Sequence, residues 1–242
     1  MGFEVIPAID VSNGRLARLH AGGLVPVEVF GGDPMAAGEA FVAVGAGWLH
    51  VVDLDLAFTG RPANLDLLGR LASLGVRVQA SGGIVRRTDA EAALAAGADR
   101  VVLGSGALGE AWLPAALSGP LAEILVMGLE VEGEVVRPRG AAEGEWPLDE
   151  ALGRLARGPV RRVLVTAVAR VGGLGGPDLA VVRAVAGALL RPVLVAGGVA
   201  TPGHVRALAA IGPFVEGAIV GRALYEGAQL GDFQVDRSGR RL

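Results

Sequence analysis

Residues 193–199 read VLVAGGV, an apolar run of strand type that ends in two glycines, and this stretch decides how the fold is interpreted. Residues 218–224, AIVGRAL, repeat the arrangement one helical segment later. Glycine lets the backbone approach a bound oxyanion closely, and N–H groups at the start of a helix favour negative charge. The two glycine ends therefore suit a phosphate group, although a single Gly-Gly after a strand is more often only a turn.

The same arrangement occurs a second time, earlier in the chain. Residues 78–84, VQASGGI, align with residues 193–199, and residues 100–108, RVVLGSGAL, follow as a second glycine-ended run. The helical residues 93–97, ALAAG, align with residues 207–211, ALAAI. This internal repetition predicts a fold that is built from two similar halves.

Short apolar runs alternate with amphipathic helical segments along the whole chain. The eight runs are 4–9, 48–54, 76–80, 101–103, 124–129, 163–168, 193–196 and 217–220. This alternation is typical of a (β/α)₈ barrel, and an open doubly wound sheet is the structural alternative. The count of eight and the internal repetition favour the barrel, an α/β fold of the TIM-barrel type.

The repetition also predicts how the chain is organised. We expect a single domain over residues 1–242 with no linker inside it. The two duplicated half-barrels would cover about residues 1–120 and 121–230. Residues 231–242 would form a polar tail.

The composition limits the possible functions. The formal net charge is −3, so no broad basic surface points to nucleic acid or to an anionic membrane. Cysteine and lysine are absent, which excludes disulfides, a cysteine nucleophile and Schiff-base chemistry on lysine. The three histidines are not spaced as metal ligands. Without an apparent signal peptide or membrane-spanning run, we expect a cytoplasmic protein, and we also expect it to be a monomer.

Several polar residues fall where barrel strands end, which is where the active site of such a barrel lies. They are Asp10, Asp53, Asp55, Glu130 and Thr166. Asp10 and Glu130 follow the first and fifth runs, so the repetition places them opposite each other across the mouth of the barrel. Two such carboxyl groups can divide acid and base roles if their surroundings separate their pKa values. The alternative for any one of them is that it only caps a loop or a helix.

The two sets of glycine ends predict a substrate with a phosphate at each end. The structural alternative is that the glycines only let helices pack closely on strands. Arg18, Arg139 and the pair Arg86-Arg87 are long enough to reach a phosphate, but paired arginines are usually solvated. His50 lies inside an apolar strand, which favours a core residue over a catalytic one.

Five motifs together resemble one known family, the phosphoribosylformimino-aminoimidazole carboxamide ribotide isomerases of histidine biosynthesis. They are IPAID at 6–10, HVVDLD at 50–55, GGI at 82–84, GGLGGP at 172–177 and GRALYEG at 221–227. The resemblance runs in order from near the first residue to about residue 227. The related cyclase subunit of imidazole glycerol phosphate synthase uses a lysine in its first loop, and this chain has none.

The resemblance implies an Amadori rearrangement, in which an aminoaldose becomes an aminoketose without cofactor or metal. It implies that Asp10 is the general base that removes the sugar C2 proton and that Glu130 protonates the ring oxygen. Thr166 is the family's threonine at the end of strand six. The two substrate phosphates would be bound at Gly82, Gly83, Gly104 and Ser105, and at Gly197, Gly198, Gly221 and Arg222.

The chain also departs from the family pattern, mainly on the acid side. The acid of strand five is normally Asp, and Glu130 is one methylene longer. The loop after strand six normally reads Asp-Gly-Thr-Leu, but here Val171 replaces the aspartate and Ala167 replaces another acid. The family's tryptophan in the strand-five loop falls on Ala141, with Trp146 as a candidate substitute.

These departures keep two alternatives open. One is a barrel that binds phosphorylated ligands or a partner protein without turnover. The other is an isomerase or lyase that acts on a different phosphorylated substrate.

Overall fold

The computed structural model describes residues 3–20 and 23–234, and in it eight parallel strands close into a barrel. The strands are β1 (Glu4–Ser12), β2 (Trp48–Asp53), β3 (Arg77–Ser81), β4 (Arg100–Leu103), β5 (Leu125–Glu132), β6 (Val163–Ala167), β7 (Val193–Ala196) and β8 (Val215–Val220). Each strand pairs with the next, and the pairing of β8 with β1 completes the circle. The predicted (β/α)₈ barrel is therefore confirmed, and the open doubly wound sheet is wrong.

Helices follow the strands and cover the outside of the barrel. They are α1 (Pro34–Ala43), α2 (Leu54–Thr59), α3 (Leu65–Ala72), α4 (Arg87–Ala95), α5 (Leu113–Ser118), α6 (Leu148–Arg157), α7 (Leu179–Leu189), α8 (Pro202–Ala209) and α9 (Arg222–Tyr225). Asp33 caps α1 by accepting the Met35 N–H, and Pro34 takes the first helical position. These caps fix where helices begin relative to the strand ends.

The barrel has two apolar layers. The larger one lies between the strands and the helices. The smaller one fills the inside of the barrel and consists of Ile6, Ala8, Trp48, Val102, Val126, Leu164, Leu194 and Ile219. Because side chains fill the interior, there is no open pore, and the space for a ligand lies above this layer at the carboxyl ends of the strands.

The first and fifth strands are longer than predicted and change the surroundings of the site. β1 continues past Asp10 and pairs antiparallel with Arg15–His20, which pairs in turn with Gly23–Pro26. The turn contains Asn13 and Gly14, both with positive φ, a sequence that favours tight hairpins. The expectation that strand one stops before Asp10 was wrong because this hairpin signal was interpreted as a loop.

β5 also continues beyond its predicted end into a hairpin. It continues past Glu130, pairs antiparallel with Val135–Val136, and that segment pairs with Trp146–Pro147. Asp10 and Glu130 thus lie inside strands rather than after them, and each is followed by a hairpin at the mouth of the barrel.

The proposed division near residue 120 falls between α5 and β5 and stays a prediction. Packing extends past residue 230, because Phe233 in the short 3₁₀ helix Leu230–Phe233 is fully buried. Residues 235–242 of the predicted tail lie outside the described residues. Within the described ranges, no helix is both long and apolar enough to cross a membrane.

Candidate active site

A cavity lies at the carboxyl ends of the barrel strands, and the residues that line it come from both halves. Of the strand-end and glycine-end residues that the sequence indicated, only Asp53, Asp55 and Ser105 do not line this cavity. His50, Tyr225, Arg18 and Arg139 line it as well. The fold therefore brings together most of what the sequence singled out as separate motifs.

The glycine ends are built in the same way in the two halves. Gly82 follows β3 with φ of +106°, and a Cβ there would lie 2.6 Å from the backbone nitrogen of Asp53, the last residue of β2. Gly197 follows β7 with φ of +96°, and a Cβ there would lie 2.9 Å from the carbonyl oxygen of Ala167, the last residue of β6. Close packing on the preceding strand thus requires glycine here whether or not a phosphate binds.

Asp10 is half-buried and faces the cavity. None of the residues that the structure describes donates a hydrogen bond to its carboxyl group. Burial raises the pKa of Asp10 to about 6, and the nearby positive charge of Arg139 opposes this rise. A carboxylate of this basicity is ionised at neutral pH and still accepts a proton readily, as a general base must.

Tyr225 forms the wall beside Asp10 and was not predicted as a site residue. Its hydroxyl donates to the carbonyl oxygen of Ala8 at 2.8 Å. Burial, together with the negative charge of Asp10, raises the pKa of Tyr225, so the hydroxyl stays protonated. The ring makes edge contacts with Phe30 and Phe41, each with ring centroids 6.0 Å apart. The sequence alone does not show that Tyr225 lies beside Asp10, since the two residues are more than 200 positions apart.

Glu130 is tied to the neighbouring strand end. Its Oε2 accepts the backbone N–H of Ser105 at 3.0 Å. The carboxylate therefore occupies this N–H. Ser105 is fully buried, so the serine side chain does not reach the cavity. The predicted acid and one predicted phosphate donor are therefore hydrogen-bonded to each other. Thr166 lies next to Glu130 in the pairing of β5 with β6.

Two arginines gather at the second set of glycine ends. Arg222 donates through Nη1 to the carbonyl oxygen of Gly172 and through Nε to Glu226 at 2.6 Å. Arg18 lies 3.5 Å from the same carboxylate of Glu226. Arg222 directly follows Gly221, so positive charge lies next to this glycine end, and Arg222 also fixes the loop after β6.

The acids after β2 hold loops together. Asp53 accepts N–H groups of Leu56, Ala63 and Asn64, and Asn64 also donates to Asp55 at 2.9 Å. Burial alone would raise the pKa of Asp55, but donors on Asn13, Asn64 and Ser12 together hold it below its usual value. Neither acid lines the cavity, so for these two the capping interpretation is correct.

The loop after β6 presents an apolar wall where the resemblance expects a carboxylate. Val171 lines the cavity together with Gly172 and Gly173. Trp146 is half-buried in the β5 hairpin against Gly109 and is not part of the lining. In the described part of the chain, no group of three histidine, aspartate or glutamate side chains is arranged to hold a metal ion.

A closed (β/α)₈ barrel whose cavity at the carboxyl ends of the strands holds a basic carboxylate is typical of a barrel enzyme. The chain belongs to the family described as histidine biosynthesis protein, whose profile matches residues 4–229. This finding confirms the resemblance carried by the motifs.

Individual relatives match over nearly their whole length. A protein of Salinispora tropica is 40% identical over 230 residues, which cover 94% of this chain and 95% of the relative. One of Acidothermus cellulolyticus is 41% identical over 228 residues, with 93% and 94% covered. One of Chloroflexus aurantiacus is 37% identical over 233 residues, with the same coverage. Each is named 1-(5-phosphoribosyl)-5-{(5-phosphoribosylamino)methylideneamino} imidazole-4-carboxamide isomerase.

Proposed function

We propose that this chain is an intramolecular aldose–ketose isomerase that acts on the bis-phosphoribosyl imidazole carboxamide compound named for its relatives, in histidine biosynthesis. The observation that carries the proposal is Asp10, an ionisable group in the cavity with raised basicity and no hydrogen bond from the described residues. A molecule with two phosphoribosyl groups also has a phosphate at each end, which fits glycine ends on both sides of the mouth.

Asp10 removes the C2 proton of the sugar once the ring is open. Its pKa of about 6 lies just below neutral pH, so the base is ionised and the proton transfer is not strongly uphill. Arg139, which also lines the cavity, supports the ionised form through its positive charge. The neutral hydroxyl of Tyr225 bounds this side of the site without competing for the proton.

Glu130 supplies the acid that opens the ring. Its proton goes to the ring oxygen as the bond from this oxygen to C1 breaks. Asp10 takes the C2 proton, C1 gains a proton, and the proton of the 2-hydroxyl group returns to Glu130 as C2 becomes the carbonyl carbon of the aminoketose. For this step Glu130 has to leave the Ser105 N–H, and a phosphate oxygen at Gly104 and Ser105 would take its place. Thr166, paired with Glu130 across the strands, supports the orientation of the carboxyl group.

The two phosphates bind at opposite sides of the mouth. We assign one to the first-half glycine ends, Gly82, Gly83 and Gly104, together with Ser105. The other is assigned to the second-half glycine ends, Gly197, Gly198 and Gly221, with the side chain of Arg222. Arg18 adds positive charge on the second side, where it shares Glu226 with Arg222.

Turnover of the aminoaldose by the purified chain tests the proposal. We expect conversion by the wild-type protein and none by Asp10→Asn, with Asp53→Asn as the control because Asp53 has a similar strand-end position outside the cavity. If the wild-type chain binds the substrate but shows no turnover at high enzyme concentration, the alternative of a barrel that only binds phosphorylated ligands is correct.

We further propose that the chain acts as a monomer in the cytoplasm and binds neither nucleic acid nor membrane. One chain supplies residues on all sides of the cavity, so no second copy is needed to complete it. A doubly phosphorylated substrate is also retained inside the cell by its charge. Size-exclusion chromatography with light scattering tests the monomer, and a mass of two chains would contradict it.

A further inference from the structure

A row of buried polar side chains crosses three neighbouring strands directly below Asp10. His50 on β2, Gln79 on β3 and Arg100 on β4 are 5%, 0% and 7% exposed. Gln79 Nε2 lies 2.8 Å from His50 Nδ1, and Arg100 Nη1 lies 3.1 Å from Gln79 Oε1. His50 lines the cavity at one end of the row, and Arg100 at the other end lies near the charges of Glu4, Arg162 and Glu216.

Arg100 fixes the direction of every hydrogen bond in this row. A guanidinium group has only donors, so the Gln79 atom that faces it must be the oxygen. Burial, helped by the charge of Arg162, lowers the pKa of Arg100 to about 10, which still leaves it charged at neutral pH. Its guanidinium also lies 4.0 Å from the centre of the Trp48 ring, which holds it in place.

The orientation of Gln79 then determines the tautomer of His50. The amide nitrogen of Gln79 faces Nδ1 and can only donate, so Nδ1 must carry a lone pair. Burial lowers the pKa of His50 to about 3, so the ring is neutral and its single proton is on Nε2. None of the described residues hydrogen-bonds Nε2.

This donor lies close to the proposed base. In the pairing of β1 with β2, His50 is opposite Ala8 and Val52 is opposite Asp10, so His50 is one side-chain step below Asp10 on the inside of the barrel. A neutral donor here leaves the raised basicity of Asp10 intact, whereas an imidazolium ion would favour the carboxylate and lower that basicity.

We propose that His50 is a substrate-binding residue that offers a permanent Nε2–H donor to an uncharged oxygen of the substrate, and that Gln79 and Arg100 are positioning residues that hold this tautomer. The class of acceptor, a sugar hydroxyl or carbonyl oxygen, rests on the proposed function. The tautomer does not, because it follows from the protein's own hydrogen bonds.

Nitrogen-15 NMR of the histidine rings tests the tautomer without any activity measurement. The chain has only His20, His50 and His204, and the His50→Gln spectrum assigns the signal of His50. We expect a proton on Nε2 alone, unchanged between about pH 5 and 8. A proton on Nδ1, or an imidazolium ion in this range, would overturn the proposal.

The variant Gln79→Glu distinguishes an effect of the His50 tautomer from an effect of side-chain packing. The new carboxylate pairs with Arg100, and its second oxygen accepts from His50, so the proton moves to Nδ1 and the donor to the cavity is lost. We expect kcat/KM to fall about tenfold, the cost of one lost hydrogen bond, while the thermal unfolding temperature stays within a few degrees. A tautomer that moves without any loss of turnover would overturn the binding role.

Variants of the histidines complete the test. His50→Leu should lose about tenfold in kcat/KM, and His50→Gln should recover most of it because its amide nitrogen can donate from a similar place. His204→Gln is the matched control, since His204 accepts the Ala200 N–H outside the cavity. Equal losses in His50→Leu and His50→Gln would contradict a donor role.

Substrate titration separates this proposal from the proposed function. In Asp10→Asn, which should bind the aminoaldose without converting it, the His50 Nε2–H resonance should shift on binding. A wild-type chain without turnover would overturn the proposed function. The proposal about His50 would then be tested only by the tautomer that NMR measures. Binding of the aminoaldose that leaves the resonance unmoved would overturn the contact with substrate.

Discussion

Asp10 on β1 and Glu130 on β5 both line the cavity, and their side chains are held in opposite ways. Each lies inside a strand that continues into a hairpin. Asp10 receives no hydrogen bond from the described residues, and its pKa is raised to about 6. Glu130 reaches the next strand end and accepts the Ser105 N–H. The extra methylene thus gives the second half an anchored carboxylate, while the first half keeps an accessible base.

The loops beside these acids differ in a complementary way. After β2, Asn64 joins the carboxylates of Asp53 and Asp55 in a dense network. After β6, where Ala167 and Val171 carry no charge, the loop is held instead by Arg222 on the carbonyl oxygen of Gly172. The loop after β2 is therefore stabilised by acids, and the loop after β6 by an arginine.

The largest effect is expected for Asp10→Asn, which removes the base and keeps the shape. The kcat/KM should fall by about 10³-fold, within the usual range for a positioned general base. Measurement of aminoaldose conversion by the variant and by Asp53→Asn, matched for concentration, checks this. A loss of less than about tenfold in Asp10→Asn would show that another group removes the proton.

The same substitution should stabilise the fold at neutral pH. The pKa of Asp10 is higher in the folded chain than its ordinary value of 3.8, so its ionisation lowers the stability progressively between about pH 4 and pH 6, and the full cost remains above this range. The uncharged amide in Asp10→Asn avoids that cost, and the free energy of unfolding should rise by at most about 3 kcal/mol at pH 7.5. In urea denaturation the gain should shrink as the pH falls towards 4, and a larger gain at low pH would contradict the assignment.

The next largest effect is expected for Glu130→Gln, which tests the anchored side of the comparison. Loss of the acid should lower kcat/KM about 10²-fold, and Glu130→Asp should keep an acid while releasing the Ser105 N–H. We therefore expect Glu130→Asp to lower KM for the substrate, because the N–H becomes free for a phosphate oxygen. Parallel losses in both variants would indicate that the length of Glu130 is required rather than its chemistry.

A third prediction concerns the network after β2. Asn64→Ala removes donors to Asp53 and Asp55 and an acceptor for the Gly14 N–H, so the free energy of unfolding should fall by about 2 kcal/mol. Thermal and urea unfolding measure this change. Arg222→Leu removes fewer hydrogen bonds at a more exposed position, so it should lower the free energy of unfolding less than Asn64→Ala does. A larger loss of stability in Arg222→Leu would contradict this prediction.

Much of this fold could be predicted because its determinants are local. Alternating runs identify the strands, and Gly82 and Gly197 mark the points where one strand end packs on its neighbour. Asp10 could be predicted as well, since its strand position alone places it at the mouth. The Asn13-Gly14 turn carries a hairpin signal as well, but this signal was interpreted as a loop.

The remaining features depend on contacts between distant parts of the chain. Whether Glu130 reaches Ser105 is decided by a few ångströms between two strands, and no spacing in the sequence encodes this distance. Tyr225 beside Ala8 and the row from His50 to Arg100 likewise arise only when the barrel closes. Apolar surroundings suggested that His50 belongs to the core, but its ring also lines the cavity.

The smallest predicted effect concerns the charge that faces Asp10. Arg139 lowers the pKa of Asp10, so Arg139→Gln should raise this pKa further above about 6. Because the base must be ionised, kcat/KM falls on the acid side of this pKa, and the limb of the pH–rate profile should move to higher pH in the variant. Arg86→Gln is the control, since Arg86 pairs with Asp89 outside the cavity and should leave the limb in place. A limb that stays in place in Arg139→Gln, or that moves to lower pH, would mean that Arg139 does not stabilise the ionised base and that burial alone sets the pKa of Asp10.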